Sequence, residues 1–532
     1  MTCKPWSLAV ATTFLLTPFV GFTALAGPRA TAEMSSAGPP NIVLILADDL
    51  GNGHVSAYGG RVPTPNIDAL ARDGVLFTNA HTTAANCAPS RAGLLTGRSQ
   101  NEFGYEFNPG VQEGETAGRG IPLDLPTLPE VLSKAGYRTG LIGKWHEGQS
   151  AAQVPNARGF DYFYGFYEAL SGYITEPKPG DEWARDADFL HSNGDRPFNK
   201  IRRNGVPVRE SRYLTDAFTD EATAFVTQDS TKPFFLYLAY NAPHSPLEAT
   251  KEYLDRVTWT NNRQERIYDA MVLAIDDGVG KLIKQLKQQG QYENTIILFA
   301  SDNGCPIRPK VRPYCSNAPY GGSKITLWDG GTRVPMIVKG IGNMRRDVRS
   351  DAMVSFMDIA PTFLSAAKVR NTPVMSGIDL TPWLATTRND QPRTWIAWRT
   401  GPNAAVTTAD WKLYLAAKAG PDEADLTTPG DEGGAASPER VRERGVGEAE
   451  RRARAPLYGV AAPEFGWHVM LYDLKRDPGE RTNVAAENPD RIRELKSLLD
   501  QWAATLPTEL LWGPQTIRVY ETPDGVRVRM PG

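Results

Sequence analysis

The run Asn41-Ile42-Val43-Leu44-Ile45-Leu46 shows no alternation of polar and apolar side chains. A strand of that kind has to be covered on both faces, which places it in a sheet sandwiched between helices. Similar runs recur at Leu141-Ile142, Phe234 to Leu238, Thr295 to Phe299 and Pro335 to Val338. Amphipathic stretches such as Leu128 to Ala135 and Tyr268 to Gln288 lie between them. Strands alternating with helices predict an α/β sandwich with a largely parallel central sheet.

At 532 residues the chain has room for two or three domains, and its texture changes near residue 400. Trp411 to Tyr414 and Met470 to Tyr472 predict two strands of a smaller sheet, with a helix from Pro489 to Leu506. Residues 417–455, between those strands, are rich in Gly, Ala, Glu and Arg. Their charge run (Glu439, Arg440, Arg442, Glu443, Arg444) is that of a solvated insertion, with a lid as the alternative. The expected division is a leader over 1–26, a flexible linker over 27–39, a catalytic domain over 40–400 and a C-terminal subdomain over 401–532.

The leader reads as a secretory signal. Lys4 supplies a short positive region, Leu8 to Leu25 is mostly apolar, and Ala24-Leu25-Ala26 is a small-residue cleavage site before Gly27. An uncleaved anchor is the rival reading, opposed by Pro18 and several threonines. No later stretch approaches the roughly 20 apolar residues needed to span a bilayer. A secreted or periplasmic protein is therefore expected, in a compartment where Cys305 and Cys315 are able to pair. With Cys3 and Cys87 the chain has four cysteines in all, too few for a disulfide scaffold. Lys+Arg 58 against Asp+Glu 61 gives a net charge of −3, which excludes a polycationic nucleic-acid footprint.

The chemistry sits where strands end. The first buried strand runs into Asp48-Asp49 and the fourth into Asp302-Asn303-Gly304. In open α/β sheets, sites form at the carboxyl ends of strands. Three carboxylates and an amide gathered there suit Ca²⁺ or Mg²⁺ better than Zn²⁺, unless each pair merely caps a helix or makes a turn. Two more strands lead into Lys144-Trp145-His146 and Asn241-Ala242-Pro243-His244. His146 and His244 are candidates for proton transfer, whereas His54, His81, His191 and His468 read as structural or solvated. Lys324, in Gly321-Gly322-Ser323-Lys324, is a candidate fixed positive charge. Cations around a metal make sense only for an anionic substrate. Cys87, two residues before Pro89, should sit at a helix N-terminus. As a bare cysteine it is either a thiolate nucleophile or a small buried hydrophobe.

Cys87-Ala88-Pro89-Ser90-Arg91 followed by Leu94-Leu95-Thr96-Gly97 resembles the type I sulfatase signature, in which the cysteine is oxidised to formylglycine. Gly136-Tyr137-Arg138-Thr139 through Gly143-Lys144-Trp145-His146 resembles the second sulfatase signature. The likeness continues through Arg158-Gly159-Phe160, Ala242-Pro243-His244, Asp302-Asn303-Gly304, Gly330 to Pro335, Leu471 to Leu474 and Asp477 to Glu480, in family order. It implies an alkaline-phosphatase-like α/β/α sandwich with a smaller C-terminal domain, built on a four-stranded antiparallel sheet and a helix. It also implies sulfate-ester hydrolysis, of an aryl sulfate or a sulfated carbohydrate, through a formylglycine-sulfate intermediate.

By the same resemblance Asp48, Asp49, Asp302, Asn303 and the formylglycine from Cys87 look like the ligands of one Ca²⁺. Arg91 and Lys144 would orient the formylglycine, Lys144, Lys324 and His244 would face the sulfate, and His146 would sit beside the formylglycine. Asp302 is then a plausible base, and His244, protonated among anions, the general acid. The partners implied are a small-molecule or saccharide sulfate ester and, during maturation, a formylglycine-generating enzyme, with neither nucleic acid nor membrane. The chain departs from the family pattern at Asn86, where a small apolar residue is usual, and at Glu147, where Leu is common. A phosphate or phosphonate ester hydrolase on the same scaffold, or a non-catalytic binder of sulfated glycans, are the rival readings.

Overall fold

A computed structural model describes residues 1–2, 38–109, 118–174, 183–185, 200–228, 230–307, 312–385, 390–421, 423, 457–514 and 517–531. Residues 3–37 of the leader and linker, including Cys3, with His191, the charge run Glu439 to Arg444 and most of the 417–455 insertion, lie outside the described residues.

Ten strands build the main sheet: β1 (Asn41–Ala47), β2 (Val75–Phe77), β3 (Arg138–Lys144), β4 (Tyr162–Phe166), β5 (Arg202–Arg203), β6 (Val206–Pro207), β7 (Phe234–Ala239), β8 (Thr295–Ser301), β9 (Met336–Lys339) and β10 (Val348–Ser350). Their spatial order is β10-β2-β9-β8-β1-β7-β3-β4-β5-β6. The central run β8-β1-β7-β3-β4 is parallel throughout, with Ile45 of β1 opposite Phe299 on one side and Leu238 on the other. β9, expected from the Pro335 to Val338 run, lies antiparallel to both β8 and β2.

The unbroken apolar run of β1 has the predicted cause. Val43, Ile45 and Ala47 enter one core with α1 (Pro65–Arg72), α4 (Leu214–Val226) and α5 (Arg263–Gln288). Ile42, Leu44 and Leu46 enter the other with α2 (Cys87–Thr96), α3 (Leu128–Lys134) and α6 (Ile359–Ala366). Side chains alternate across a strand, so both faces must be apolar when helices cover both. Local signals set the helix starts. Thr127 and Glu130 form a capping box at α3, and Asn262 Oδ1 accepts the Glu265 N–H at the head of α5 (3.0 Å).

The C-terminal sheet is antiparallel in the order β11 (Trp395–Thr400), β12 (Asn403–Thr408), β13 (Trp411–Ala417), β14 (Trp467–Asp473). β13 and β14 are the two strands expected, in the register Leu413 to Leu471 and Tyr414 to Met470. β11 pairs with β12 from Trp395 onward, so the sheet begins before the 400/401 division drawn from the sequence. One face packs Val406, Leu413, Leu415 and Leu471 against Leu495 and Leu499 of α7 (Pro489–Ala503). The other packs Trp398, Tyr414, Met470 and Tyr472 against Ile325, Leu327 and Trp328 of the main body. Within that second contact a buried Lys412 ammonium reaches Asp329 Oδ1 (2.5 Å) and Glu480 Oε1 (3.3 Å).

Candidate active site

Apart from Lys324, which lies in a turn, each predicted site residue closes or follows a carboxyl strand end or lies on the helix facing it. Asp48 and Asp49 follow β1, Asp302 and Asn303 follow β8, Lys144 closes β3, and His244 lies in the loop after β7. Because these strands are neighbours, their ends meet at one edge of the sheet. Gly143 makes one end possible: its φ is +114°, and an added Cβ would lie 1.9 Å from the Ala239 carbonyl oxygen. Gly304 makes another, since a Cβ there would stand 1.7 Å from the Gly330 carbonyl oxygen.

Cys87 begins α2, with its Sγ 3.5 Å from Asp48 Oδ1. Ligand atoms of Asp48, Asp49, Cys87 and His244 all lie within 4.8 Å of one another. Asp302 joins through its Oδ1, which accepts the Asp49 N–H (3.2 Å). Asn303 donates Nδ2–H to Asp49 Oδ1 (2.6 Å), and its own buried Oδ1 accepts no hydrogen bond among the described residues. An all-oxygen set carrying three carboxylates, with one amide oxygen left free, fits a hard dication.

Three cations oppose the carboxylates, Lys144 and Arg91 fully buried and Lys324 partly so. Lys144 Nζ lies 2.6 Å from Asp48 Oδ2, Arg91 Nη2 lies 2.8 Å from Asp302 Oδ2, and Lys324 Nζ lies 2.9 Å from Asp49 Oδ1. Arg91 also donates to the Lys144 carbonyl (3.2 Å), linking helix and strand. Burial alone would raise the Asp48 carboxyl, but Lys144 and Arg91 hold it well below its usual range. Asp302 goes the other way: burial first, then Asp48, push it up to about 6. Burial pushes the Cys87 thiol up to about 12, so an unmodified Cys87 stays S–H at neutral pH.

Burial, aided by Lys324, pulls His244 below its ordinary pKa, and the neighbouring Asp49 and Asp48 do not compensate. Its Nδ1 faces the Ser245 carbonyl oxygen (2.6 Å), which makes Nδ1 the protonated nitrogen and turns Nε2 toward Asp49 Oδ2 (3.6 Å). His146 is buried with neither ring nitrogen hydrogen-bonded among the described residues, and burial with Lys144 and Arg91 holds it neutral. His54, His81 and His468 take the structural parts expected. His54 bridges Asp269 and the Ser316 N–H, His81 meets Asn79, and His468 pairs with Asp524.

Sequence reasoning missed Tyr237, whose hydroxyl accepts from Arg91 (3.4 Å), and Tyr268, whose hydroxyl donates to the Asp49 carbonyl (2.7 Å). Both rings sit in apolar patterns that read as core, so no pattern signal separates them. Cys305 and Cys315 are paired, closing the loop that follows Asp302-Asn303.

The family model named Sulfatase matches residues 40–369. Arylsulfatase G of Rattus norvegicus is 34% identical over 396 residues, covering 69% of this chain and 71% of that protein. N-acetylgalactosamine-6-sulfatase of Rattus norvegicus is 35% identical over 389 residues, covering 71% of each. Among solved structures, Ps i-CgsB superposes with a TM-score of 0.70 at 29% identity, over 88% of this chain and 94% of that one. The chain belongs to the sulfatase family, as a type I sulfatase and sulfuric ester hydrolase on the alkaline-phosphatase-like fold.

Proposed function

We propose that the chain removes sulfate from a sulfated saccharide, using formylglycine made from Cys87 and one Ca²⁺ held by Asp48, Asp49, Asp302 and Asn303. The observation that carries this reading is the placement of Cys87 Sγ among the Asp48, Asp49 and His244 ligand atoms, with Lys144, Arg91 and Lys324 around them. A sulfate ester is an anion, and three cations beside a nucleophile position are what an anion needs. The saccharide half rests on relatives: Ps i-CgsB has been solved in complex with k-i-k-neocarrahexaose, and another relative is a sulfatase of N-acetylgalactosamine.

Formylglycine, once hydrated, supplies two hydroxyls on one carbon, one to attack sulfur and one to expel the sulfate afterwards. A hard dication bound by these oxygens supplies positive charge against the sulfate oxygens and makes a bound hydroxyl more acidic. The chain's own groups do the rest. Lys144 and Lys324 bind sulfate oxygens and are held in place by Asp48 and Asp49. Arg91 fixes Asp302, the group assigned as base. His244 presents Nε2 to the cleft. An arriving sulfate raises its proton affinity, and a low intrinsic pKa makes the protonated ring a strong donor to the leaving oxygen. His146, whose ring nitrogens have no hydrogen-bond partner among the described residues, is the group assigned to accept the proton from the second hydroxyl.

Export fits the Cys305–Cys315 pair, because disulfides persist in oxidising compartments. Among the described residues no helix is long and apolar enough to cross a membrane. A desulfation screen of the purified enzyme against sulfated saccharides and 4-nitrophenyl sulfate, read by sulfate release, tests the reading. Release from saccharides is expected; release from no sulfate ester, alongside turnover of phosphate or phosphonate esters, would overturn it.

A further inference from the structure

Ile325 has a φ of +67°. That left-handed conformation is a genuine outlier for a β-branched residue, and outliers of this kind cluster where function requires them. Ile325 is the third residue of a four-residue turn, Ser323 to Thr326, closed by the Thr326 N–H on the Ser323 carbonyl (3.0 Å). A positive φ at that position ordinarily calls for glycine. The second residue of the same turn is Lys324. Its N–H donates to the Cys305 carbonyl (3.2 Å), and the N–H of Ile325 donates to the carbonyl of Ala85 (2.8 Å), two residues before Cys87.

The side chain explains why an isoleucine stands where a glycine would be easier. Ile325 is 8% exposed and belongs to the apolar cluster of Ala85, Trp328, Trp398, Tyr414 and Met470. Trp398, Tyr414 and Met470 come from the C-terminal sheet. The turn is thereby tied at three places: to the disulfide loop, to the segment leading into Cys87, and to the C-terminal sheet. A lysine on four flexible methylenes is a poor electrostatic anchor unless its backbone is held.

We infer that Ile325 is a positioning residue for Lys324, locking the turn so that the ammonium stays against Asp49 and beside Cys87. The inference rests on the sulfate-binding part given to Lys324 above. It also gives the C-terminal sheet a share in catalysis, although that sheet places no side chain among the groups around Cys87.

The test is a double-mutant cycle on the mature enzyme with 4-nitrophenyl sulfate, using I325G, I325V, K324A and I325G/K324A. Glycine accepts the positive φ, so I325G keeps the turn while losing the anchor. Far-ultraviolet circular dichroism should match the parent. I325G should lower kcat/KM at least tenfold with much of the loss in KM, I325V should stay within about threefold, and I325G should cost nothing further on the K324A background. A full, multiplicative loss in I325G/K324A, or parent-like activity of I325G while K324A is impaired, would overturn the positioning role. If K324A alone matches the parent, the sulfate-binding part of Lys324 falls and the inference falls with it.

Discussion

Glu147 offers the sharpest test of how this site is built. It follows His146 directly, is 1% exposed, and neither carboxyl oxygen has a hydrogen-bond partner among the described residues. The Tyr105 hydroxyl faces it without closing a well-formed bond. Burial pushes the carboxyl well above its ordinary value of 4.5, overriding the opposing pull of Arg91, Lys144 and Arg158. The folded protein thus keeps a proton that the unfolded chain has lost, so stability falls as pH rises from 4.5 toward the folded-state pKa. Each pH unit in that window costs about 1.4 kcal/mol. Glu147→Leu removes both this cost and that of an unpaired buried polar group, which is about 1–3 kcal/mol. Urea unfolding at pH 5, 6 and 7 should show the Glu147→Leu enzyme more stable than the parent by about 1–3 kcal/mol at pH 5, with the gap widening by up to about 3 kcal/mol at pH 7. Glu147→Gln cannot ionise but stays polar, so it should remove Glu147's share of the pH slope and keep the pH 5 deficit. A leucine variant less stable than the parent at every pH, or a gap that ignores pH, would show that Glu147 has partners this geometry lacks.

Other perturbations address the chemistry. The peptide spanning Cys87 should carry an aldehyde in place of the thiol by mass spectrometry, and Cys87→Ala should fold yet lose activity on the order of 10⁵-fold; full activity with a quantitative free thiol would overturn the assignment. His244→Ala should slow an alkyl or sugar sulfate about 10²–10⁴-fold but 4-nitrophenyl sulfate far less, since an activated leaving group needs no acid; equal losses would make His244 a sulfate ligand instead. Chelation should lower both activity and the unfolding midpoint, with calcium restoring both; active protein holding stoichiometric zinc and no calcium would refute the ion. Asp302→Ala should cost about 3–5 kcal/mol of stability, because it leaves the Arg91 guanidinium buried without its main partner, and a stability loss below about 1 kcal/mol would show that Arg91 finds another.

The parts of the fold that could be read in advance are those where burial leaves no choice. β1, β7 and β8 are apolar on both faces because two cores sandwich them, and β13 and β14 announce themselves with aromatic and aliphatic pairs. Strand direction is not written in an apolar run, so the antiparallel β9 could not be foreseen. Nor could β12, whose Asn403-Ala404-Ala405-Val406 is buried by its neighbours rather than by its own hydrophobicity. In the site, Asp48, Asp49 and Asp302 were legible because acids at strand ends are conspicuous, and Asn303 because it directly follows one of them. Backbone conformation was not. Three non-glycine residues in or beside the site, Asp49 (66°), His146 (63°) and Ile325 (67°), carry a positive φ that no residue pattern there announces. Local preference and final structure disagree where surrounding contacts overrule the chain, and those places sit at the chemistry.

The charges explain why such overruling is worth its cost. Asp48, Asp49 and Asp302 face Arg91, Lys144 and Lys324, each carboxylate against a cation at 2.6–2.9 Å. The six formal charges cancel, and every one of them belongs to a buried or nearly buried side chain. Buried pairs of this kind add little net stability, because desolvation offsets their attraction. What they do instead is hold strong charges in a dry place without net repulsion, ready for a ligand that can exchange partners with them. On the proposed assignment, a sulfate ester draws Lys144 and Lys324 more readily when another cation takes up Asp48 and Asp49. An anionic substrate and a dication should then favour each other's binding, each by the same factor. That coupling requires the lysines to be movable only within a narrow range, which long side chains do not achieve by themselves. Lys144 is fixed by its place at the end of β3, with its carbonyl held by Arg91. Lys324 has no strand behind it, and the strained turn at Ile325 is what stands in for one.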